Sequence, residues 1–169
     1  MGLSGERDDE ARARRAVSLY ANLILRLSYT YLGSSHDAED VCQVVLMKLL
    51  DCDTPFRDAN HEKSWVIRVA SNACKDLLRS RRSARTVALG EVPEVAAPEP
   101  DEAYREVLDH MMGLPLGYRE ALFLHYVEGY SAAEISRMQG KSESAVFKAL
   151  SRGRQMIREA IEGGCDERS

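Results

Sequence analysis

The sequence predicts an all-α protein made of two small helical domains joined by a flexible linker, with a helix-turn-helix in the second domain. Apolar residues recur at helical spacing before residue 82 and after residue 101. Between these points, residues 83–100 lose that periodicity and hold three of the five prolines. Residues that cap and terminate helices divide the last third of the chain into short segments.

We place the first domain at residues 10–82, with three helices. The first helix, at 10–32, is predicted from apolar residues at near-helical spacing. Ser34 has the position and chemistry of a capping residue for the second helix, at 36–51. The third helix, at about 62–82, has an apolar face and an opposite face rich in cations.

The cationic face of the third helix suits nucleic acid. Residues 65–85 hold six Lys or Arg against one acid, a net charge of +5. Such a stripe, with Trp65 at its start, fits phosphates and unstacked bases. A solvated charged face would have the same pattern, and for Trp65 alone packing in the core is favoured over contact with a base.

We place the second domain at residues 101–162, beginning with helices at 101–112 and 116–128. Ser131 and Glu134 then stand in the S-x-x-E relation of a capping box. The two short helices that follow are joined by a turn that contains a glycine, as in a helix-turn-helix. The second helix of that motif enters the major groove of DNA.

The last helix has the two faces that this function requires. Its predicted inner face is apolar and consists of Val146, Leu150, Gly153, Ile157 and Ile161. Its outer face is polar or cationic and consists of Ser144, Lys148, Ser151, Arg152 and Gln155. A solvated amphipathic surface helix is the alternative interpretation of this pattern.

Charge is segregated along the chain, although the net charge is −4. Residues 131–158 carry +4, whereas residues 86–109 carry −6. Because local potential steers a polyanion, two basic regions separated by an acidic segment remain compatible with DNA binding. The sequence has no Gly-rich phosphate loop and no nucleophile–base set, so we do not expect an enzyme.

The spacing of cysteines and histidines argues against a metal site and against a disulfide framework. The four cysteines stand far apart without a C-x-x-C pair, and the four histidines are scattered. We therefore expect no cofactor and no metal. Apolar runs are too short to span a bilayer, and the amino-terminal residues lack the apolar core of a secretory signal. We expect a cytoplasmic protein with no direct membrane insertion.

Three segments, in order, resemble those of extracytoplasmic-function (group four) sigma factors, members of the sigma-70 family of bacterial RNA polymerase. They are DAEDVCQVVLMKLL (37–50), SWVIRVASNACKDLLRSRR (64–82), and the stretch from LPLGYREALFLHYVEGY through SAAEISRMQGKSESAVFKALSRGR. The resemblance implies a factor that binds core polymerase and directs promoter-specific initiation. It would recognise the −10 and −35 promoter elements and help to open the −10 region.

The resemblance also implies roles for particular residues. The second helix would bind core polymerase through Asp37, Glu39, Asp40, Gln43, Met47 and Lys48. The −10 DNA would be contacted by Arg57, Asn60, His61, Lys63, Trp65, Arg68, Asn72, Lys75, Arg79, Arg81 and Arg82. The −35 DNA would be contacted by Ser142, Ser144, Ala145, Lys148, Ser151, Arg152 and Arg154.

Two details of this assignment stay open at the level of sequence. The loop at 55–63 is either a pocket for an extruded base, held by Asn60 and His61, or an ordinary polar turn. Val44 stands where the family commonly has an acid, which either weakens one polar contact with polymerase or shifts that contact to Asp40 and Gln43.

The expected partners are the clamp coiled coil of the largest polymerase subunit, promoter DNA and an anti-sigma factor. The acidic linker would thread through the polymerase, and the free protein would be a monomer. Two other binding classes share some of these features. A dimeric operator-binding regulator would share the helix-turn-helix but would not need the first two motifs. A module for acidic protein partners would share the basic faces but would not bind promoter DNA in a salt-dependent way.

Overall fold

The computed structural model describes residues 3–53, 55–85 and 109–166, in which all regular structure is helical. The predicted all-α fold class is confirmed. The chain divides into two compact units, Met1–Ala97 and Pro98–Ser169. Most of the linker predicted at 83–100 lies outside the described residues, as do positions 101–108 of the helix predicted at 101–112. The predicted domain limits therefore stay a prediction.

The first unit contains three helices: α1 (Leu3–Leu32), α2 (Ser35–Leu50) and α3 (Ala59–Arg85). Each of them packs against the other two. Their shared core is apolar and includes Ile24, Leu27, Val45, Val66 and Ala70, all fully buried. Burial of these side chains is the main force that holds the three helices together.

Helix α2 begins as the sequence predicts. Ser34 is its N-cap, and the hydroxyl accepts a hydrogen bond from the backbone amide of Asp37 at 3.3 Å. Gly33, just before the cap, has a φ of 64°, a left-handed conformation that a side chain disfavours. The turn between α1 and α2 can therefore be tight, which places the two helices side by side.

Helix α3 begins three residues earlier than predicted, because Asp58 supplies a cap that the sequence interpretation missed. Its Oδ1 atom accepts a hydrogen bond from the backbone amide of His61 at 2.8 Å. In the next turn, Glu62 is buried and accepts two hydrogen bonds from the guanidinium of Arg15, at 2.9 and 3.0 Å. This bidentate pair fixes the start of α3 against α1.

The second unit contains a helical turn at 109–112 and three further helices. Helix α4 (Leu116–Leu122) continues into a π-helical turn (Phe123–Val127) and is followed by α5 (Ala132–Gln139) and α6 (Glu143–Asp166). Their core includes Phe123, Leu124, Ile135, Val146 and Leu150. The order α5, turn, α6 is the predicted helix-turn-helix.

Helix α6 approaches α4 closely at Gly153. A Cβ atom at this position would lie 2.9 Å from Cδ1 of Leu122 and 3.4 Å from Cβ of Tyr118. Only glycine leaves enough room at this crossing. The contact therefore fixes α6 on the body of the second unit.

Cys42, Cys52 and Cys74 are free thiols. Cys42 and Cys74 are buried in helices, where each packs as a small apolar residue. Burial raises the pKa of the Cys42 thiol, with a smaller contribution from the charge of Glu39. Cys42 is therefore held in the unreactive thiol form.

Candidate nucleic-acid and partner interfaces

Helix α3 presents its cationic face outward, as predicted. Arg68, Asn72, Arg79 and Arg82 are exposed, whereas the residues of the opposite face that include Val66 and Ala70 are buried. This face is therefore available to a polyanion along most of the helix.

Arg79 and Lys75 of this helix each contact a neighbour within the first unit. The guanidinium of Arg79 lies 3.0 Å from the carboxylate of Asp76 on the same helix, with both side chains largely exposed. The ammonium of Lys75 lies 5.7 Å from the centre of the Tyr31 ring, within the range of a cation–π contact. Each contact orients a cation without burying it completely.

The loop before α3 has a defined internal structure. The backbone amide of Arg57 donates a hydrogen bond to Nδ1 of His61 at 3.2 Å. The Phe56 ring packs edge-on against both His61 and Trp65, with centroids 5.6 Å apart in each pair. Because Nδ1 of His61 accepts within the loop, only Nε2 remains for another partner. Asn60 is exposed beside it.

Trp65 is half-buried in this aromatic cluster, so both interpretations of the residue keep support. Its ring packs against Phe56, yet it lies at the start of the exposed cationic face. Lys63, also half-buried, completes the set of predicted loop residues. The first turns of α3 thus carry an imidazole, an amide and an indole, because the helix begins at Ala59 and includes part of the loop predicted at 55–63.

Arg81 and Asp37, which the resemblance assigns to DNA and to polymerase, form an ion pair with each other. Nη2 of Arg81 lies 2.6 Å from Oδ1 of Asp37, and the Asp37 side chain is only 14% exposed. Burial alone would raise the pKa of Asp37, but hydrogen bonds from Arg81 and Ser34 outweigh it and lower the pKa. The contacts of these two residues with DNA and polymerase stay predictions.

The other residues predicted to bind polymerase share one exposed stripe on α2. They recur at intervals of three and four along the helix, and each is exposed: Glu39, Asp40, Gln43, Met47 and Lys48. The structure adds two exposed residues to this α2 stripe, His36 and Val44. Nδ1 of His36 lies 3.3 Å from Oδ2 of Asp40.

The helix-turn-helix is closed by local hydrogen bonds, most of which the sequence predicts. Ser131 and Glu134 form the complete capping box, and hydrogen bonds from the backbone amide and hydroxyl of Ser131 lower the pKa of Glu134. Gly140 adopts the left-handed conformation with a φ of 64°. The Ser136 hydroxyl donates to the Lys141 carbonyl at 2.6 Å, an additional bond across the turn.

The start of α6 presents its polar face to solvent. The exposed residues here are Ser142, Ser144, Ala145, Lys148, Ser151 and Arg152. On the opposite face, Val146, Leu150 and Gly153 are buried, as predicted. The Ser142 hydroxyl accepts a hydrogen bond from the backbone amide of Ala145 at 3.2 Å and so caps the start of the helix. Phe147 is 59% exposed beside this face.

Arg154, which the resemblance assigns to the −35 DNA, is exposed and contacts a residue outside α6. Its Nη1 atom donates a hydrogen bond to the Tyr126 hydroxyl at 2.8 Å. Tyr126 belongs to the π-helical turn, which the sequence interpretation missed. In that turn the imidazole Nδ1–H of His125 donates to the carbonyl of Tyr130 at 2.7 Å. This side-chain hydrogen bond stabilises the π-helical turn, in which each backbone hydrogen bond spans one residue more than in an α-helix.

An apolar groove of about 530 Å³ lies between the π-helical turn and the second half of α6. Ile161, predicted for the buried face of α6, lines this groove and is 45% exposed. Arg154 and Arg158 form part of its rim.

The described residues were also searched for a metal site and for a membrane-spanning helix. Within the described ranges, no group of three or more His, Cys, Asp or Glu residues could hold a metal ion. None of the described helices combines the length and the apolar character that crossing a membrane requires.

Family models match both units of the chain. Sigma-70 region 2 matches residues 16–84, which include most of α1 and all of α2, and Sigma-70, region 4 matches residues 104–157. The first match contains the α2 stripe and the cationic face of α3. The second match contains the helix-turn-helix.

Individual proteins give the same assignment. The chain is 29% identical to the ECF RNA polymerase sigma factor SigE of Mycolicibacterium smegmatis over 86% of this chain and 60% of that protein. It is 30% identical to the RNA polymerase sigma factor CarQ of Myxococcus xanthus, over 73% of this chain and 74% of that protein. The chain thus spans less than two thirds of the first of these relatives.

A solved structure supports the fold. The sigma factor RpoE of Bartonella quintana, crystallised in complex with the anti-sigma factor NepR, matches with a TM-score of 0.73 at 19% identity. The match covers 88% of this chain and 96% of that one. With both sigma-70 regions present in order and relatives of these identities, the chain belongs to the sigma-70 family, as an extracytoplasmic-function (ECF) sigma factor.

Proposed function

We propose that this protein binds core RNA polymerase and directs it to promoters with two recognition elements. The observation that carries the proposal is the presence of two outward cationic helix faces, one on α3 and one on α6, in units that match sigma-70 regions 2 and 4. Catalysis would belong to the polymerase, and this chain would supply specificity and help in opening the DNA.

The α2 stripe is the proposed docking surface for the clamp coiled coil of the largest polymerase subunit. Glu39 and Asp40 supply negative charge, Gln43 supplies an amide, and Lys48 lies at the carboxyl-terminal end. Met47 is 58% exposed and Val44 is 44% exposed, so the stripe has an apolar centre. A surface of this kind, apolar at its centre and polar around it, is typical of protein interfaces.

The −10 element is the proposed ligand of α3 and of the loop before it. Arg68, Arg79 and Arg82 would hold phosphates of the separated strand. Unstacking a base costs a few kcal/mol, which a pocket for the extruded base offsets. The exposed amide of Asn60 and Nε2 of His61 are the groups that would bind that base.

The −35 element is the proposed ligand of the first half of α6. Short side chains at Ser142, Ser144 and Ala145 allow the helix to approach the major groove closely. Lys148 and Arg152 supply cations on the same face. Arg154 would support this face through Tyr126 and would not read DNA itself.

Regulation by an anti-sigma factor is part of the proposal. The solved relative described above was crystallised with such a partner. The acidic segment at 86–109 would compete with nucleic acid for basic surfaces inside the polymerase. We propose that the protein acts in the cytoplasm, where the polymerase is, and that it is a monomer when no partner is bound.

Transcription with purified components tests this function. Core polymerase and this protein would be combined with a promoter library, and the start sites of the transcripts would be sequenced. We expect transcripts from promoters that share two elements, and none from core polymerase alone. Binding of the protein to DNA as a dimer, without any effect on core polymerase, would instead identify an operator-binding regulator.

Charge reversal then tests the face of α3. Arg68→Glu should abolish promoter opening and leave the affinity for core polymerase within about twofold, because Arg68 lies on α3 and not on the α2 stripe. Arg7→Glu, on an exposed part of α1, is the matched control and should change neither quantity. Undiminished opening by Arg68→Glu would contradict the role assigned to this face.

A further inference from the structure

The pair formed by Asp37 and Arg81 connects the two functional helices of the first unit. Asp37 lies in the first turn of α2, and Arg81 lies near the end of α3, 44 residues away in sequence. Oδ1 of Asp37 is 2.6 Å from Nη2 of Arg81, and the two side chains are 14% and 40% exposed. A charge-assisted hydrogen bond in this setting is stronger than one on an open surface.

The orientation of Asp37 excludes it from the α2 stripe. One carboxylate oxygen accepts from Arg81, and the other, Oδ2, is a buried atom that accepts no hydrogen bond from the described residues. Its carboxylate therefore points into the unit, toward α3. Because Asp37 neutralises the guanidinium, Arg81 also attracts a phosphate less strongly than an exposed arginine such as Arg68.

The opposite end of α3 is held in a similar way. Arg15 of α1 donates two hydrogen bonds to the buried carboxylate of Glu62. Glu62 and Arg81 are separated by roughly 28 Å of helix at 1.5 Å per residue. The cationic face of α3 lies between these two attachments, so the pairs define how that face is presented relative to α2.

We propose that Asp37 and Arg81 are positioning residues, which hold the DNA-binding face of α3 in a fixed orientation on the polymerase-binding helix α2. This role rests on the proposed function. Both residues would then affect promoter opening without contacting DNA or polymerase.

The test uses Asp37→Asn, Arg81→Gln and the double variant in the full chain. Promoter opening is measured at saturating core polymerase, at a temperature well below the unfolding midpoint of every variant. We expect each single substitution to reduce opening about tenfold, since either one leaves the other partner in a part-buried site without its counter-charge. The double variant should be no worse than either single variant, because both remove the same interaction.

Two further measurements separate this role from direct contacts. Affinity for core polymerase should stay within about twofold of wild type in all three variants, and the salt dependence of promoter binding should keep its slope. Glu10→Gln removes an exposed ion pair with Arg14 on α1, away from the cationic face of α3, and is the matched control, with opening expected to be unchanged within about twofold.

Three results would overturn the proposal. Full opening by Asp37→Asn together with a defect in Arg81→Gln would make Arg81 a phosphate contact. A loss of polymerase affinity in Asp37→Asn would make Asp37 a polymerase contact. Additive defects in the double variant would show that the two residues act independently. A wild-type protein that directs no initiation would refute the proposed function as well, so the two failures are distinguishable.

Discussion

Replacement of Gly153 by alanine tests how α6 is held against the body of the second unit. The added Cβ atom would lie 2.9 Å from Cδ1 and 3.2 Å from Cγ of Leu122, and 3.4 Å from Cβ of Tyr118. Real Cβ atoms essentially never approach another atom to 2.9 Å. Leu122 is buried but also lines the apolar groove beside α6. Either its side chain must move toward the groove or part of α6 must shift outward.

The size of the effect follows from two opposing contributions. Alanine is favoured over glycine inside a helix by about 1 kcal/mol. An additional methyl group in a close-packed contact costs about 1–3 kcal/mol. The net change in the free energy of unfolding should therefore be a loss of about 0–2 kcal/mol. At a value of ~1 kcal/mol, the melting temperature of a unit of this size should fall by roughly 4–8 °C.

Gly163 provides a matched control on the same helix. A Cβ atom there would have no heavy atom within 4 Å, so Gly163→Ala adds helix propensity without a new contact. Calorimetric unfolding of the full chain would be recorded for both variants. We expect Gly163→Ala to stabilise the second unit and Gly153→Ala to destabilise it. The difference between them isolates the contact, about 1–3 kcal/mol. Equal stabilisation by both alanines would refute the close approach of α6 to α4.

Three other outcomes are expected. Lys148→Ala should weaken binding to the upstream promoter element by about 1–3 kcal/mol in DNA titrations if the side chain reads a base. Equal weakening of binding to a scrambled sequence would make Lys148 a phosphate contact. Ser131→Ala should lower the free energy of unfolding by about 1 kcal/mol in denaturant titrations, and an unchanged midpoint would exclude a capping role. The lowered pKa of Asp37 stabilises the folded state fully above its unfolded pKa of about 3.9, and this stabilisation is lost as the pH falls through the folded pKa. The stability difference between wild type and Asp37→Asn should accordingly be constant above about pH 5 and shrink as the pH falls below about 4; a difference that grows as the pH falls would contradict the assignment.

The local features of this fold could be predicted from the sequence. The caps at Ser34 and Ser131 and the left-handed glycine at position 140 involve partners within three or four residues. Residue type and spacing alone define such interactions, so they need no knowledge of the tertiary structure. The same is true of the two faces of α6, where helical periodicity places Val146 inside and Lys148 outside.

Interactions between helices could not be predicted in this way. The pairs Arg15–Glu62 and Asp37–Arg81 join residues that are 47 and 44 positions apart. Charged residues are frequent in both segments, so the sequence does not indicate which of them meet. Asp37 and Arg81 were consequently assigned to external partners, although packing places them side by side.

The π-helical turn explains which neighbour Arg154 has in the structure. A π-helical turn contains more residues than an α-helical turn, so the side chains after Leu122 point in directions that a regular helix would not give them. Tyr126 consequently lies where its hydroxyl can accept a hydrogen bond from Arg154. Sequence periodicity assumes a constant 3.6 residues per turn and cannot place a side chain beyond such an irregularity.

The apolar centre of the α2 stripe determines what kind of partner surface can cover it. Val44 and Met47 lie three residues apart on α2, so their side chains are neighbours on the helix surface. A polar partner group placed over them would lose water without gaining a hydrogen bond, which costs free energy. On the docking surface that we propose, polar contacts would instead form around them, at Asp40 and Gln43. A polymerase surface that fits this stripe would therefore pair an apolar side chain with Val44 and Met47 and donate hydrogen bonds to the acids beside them.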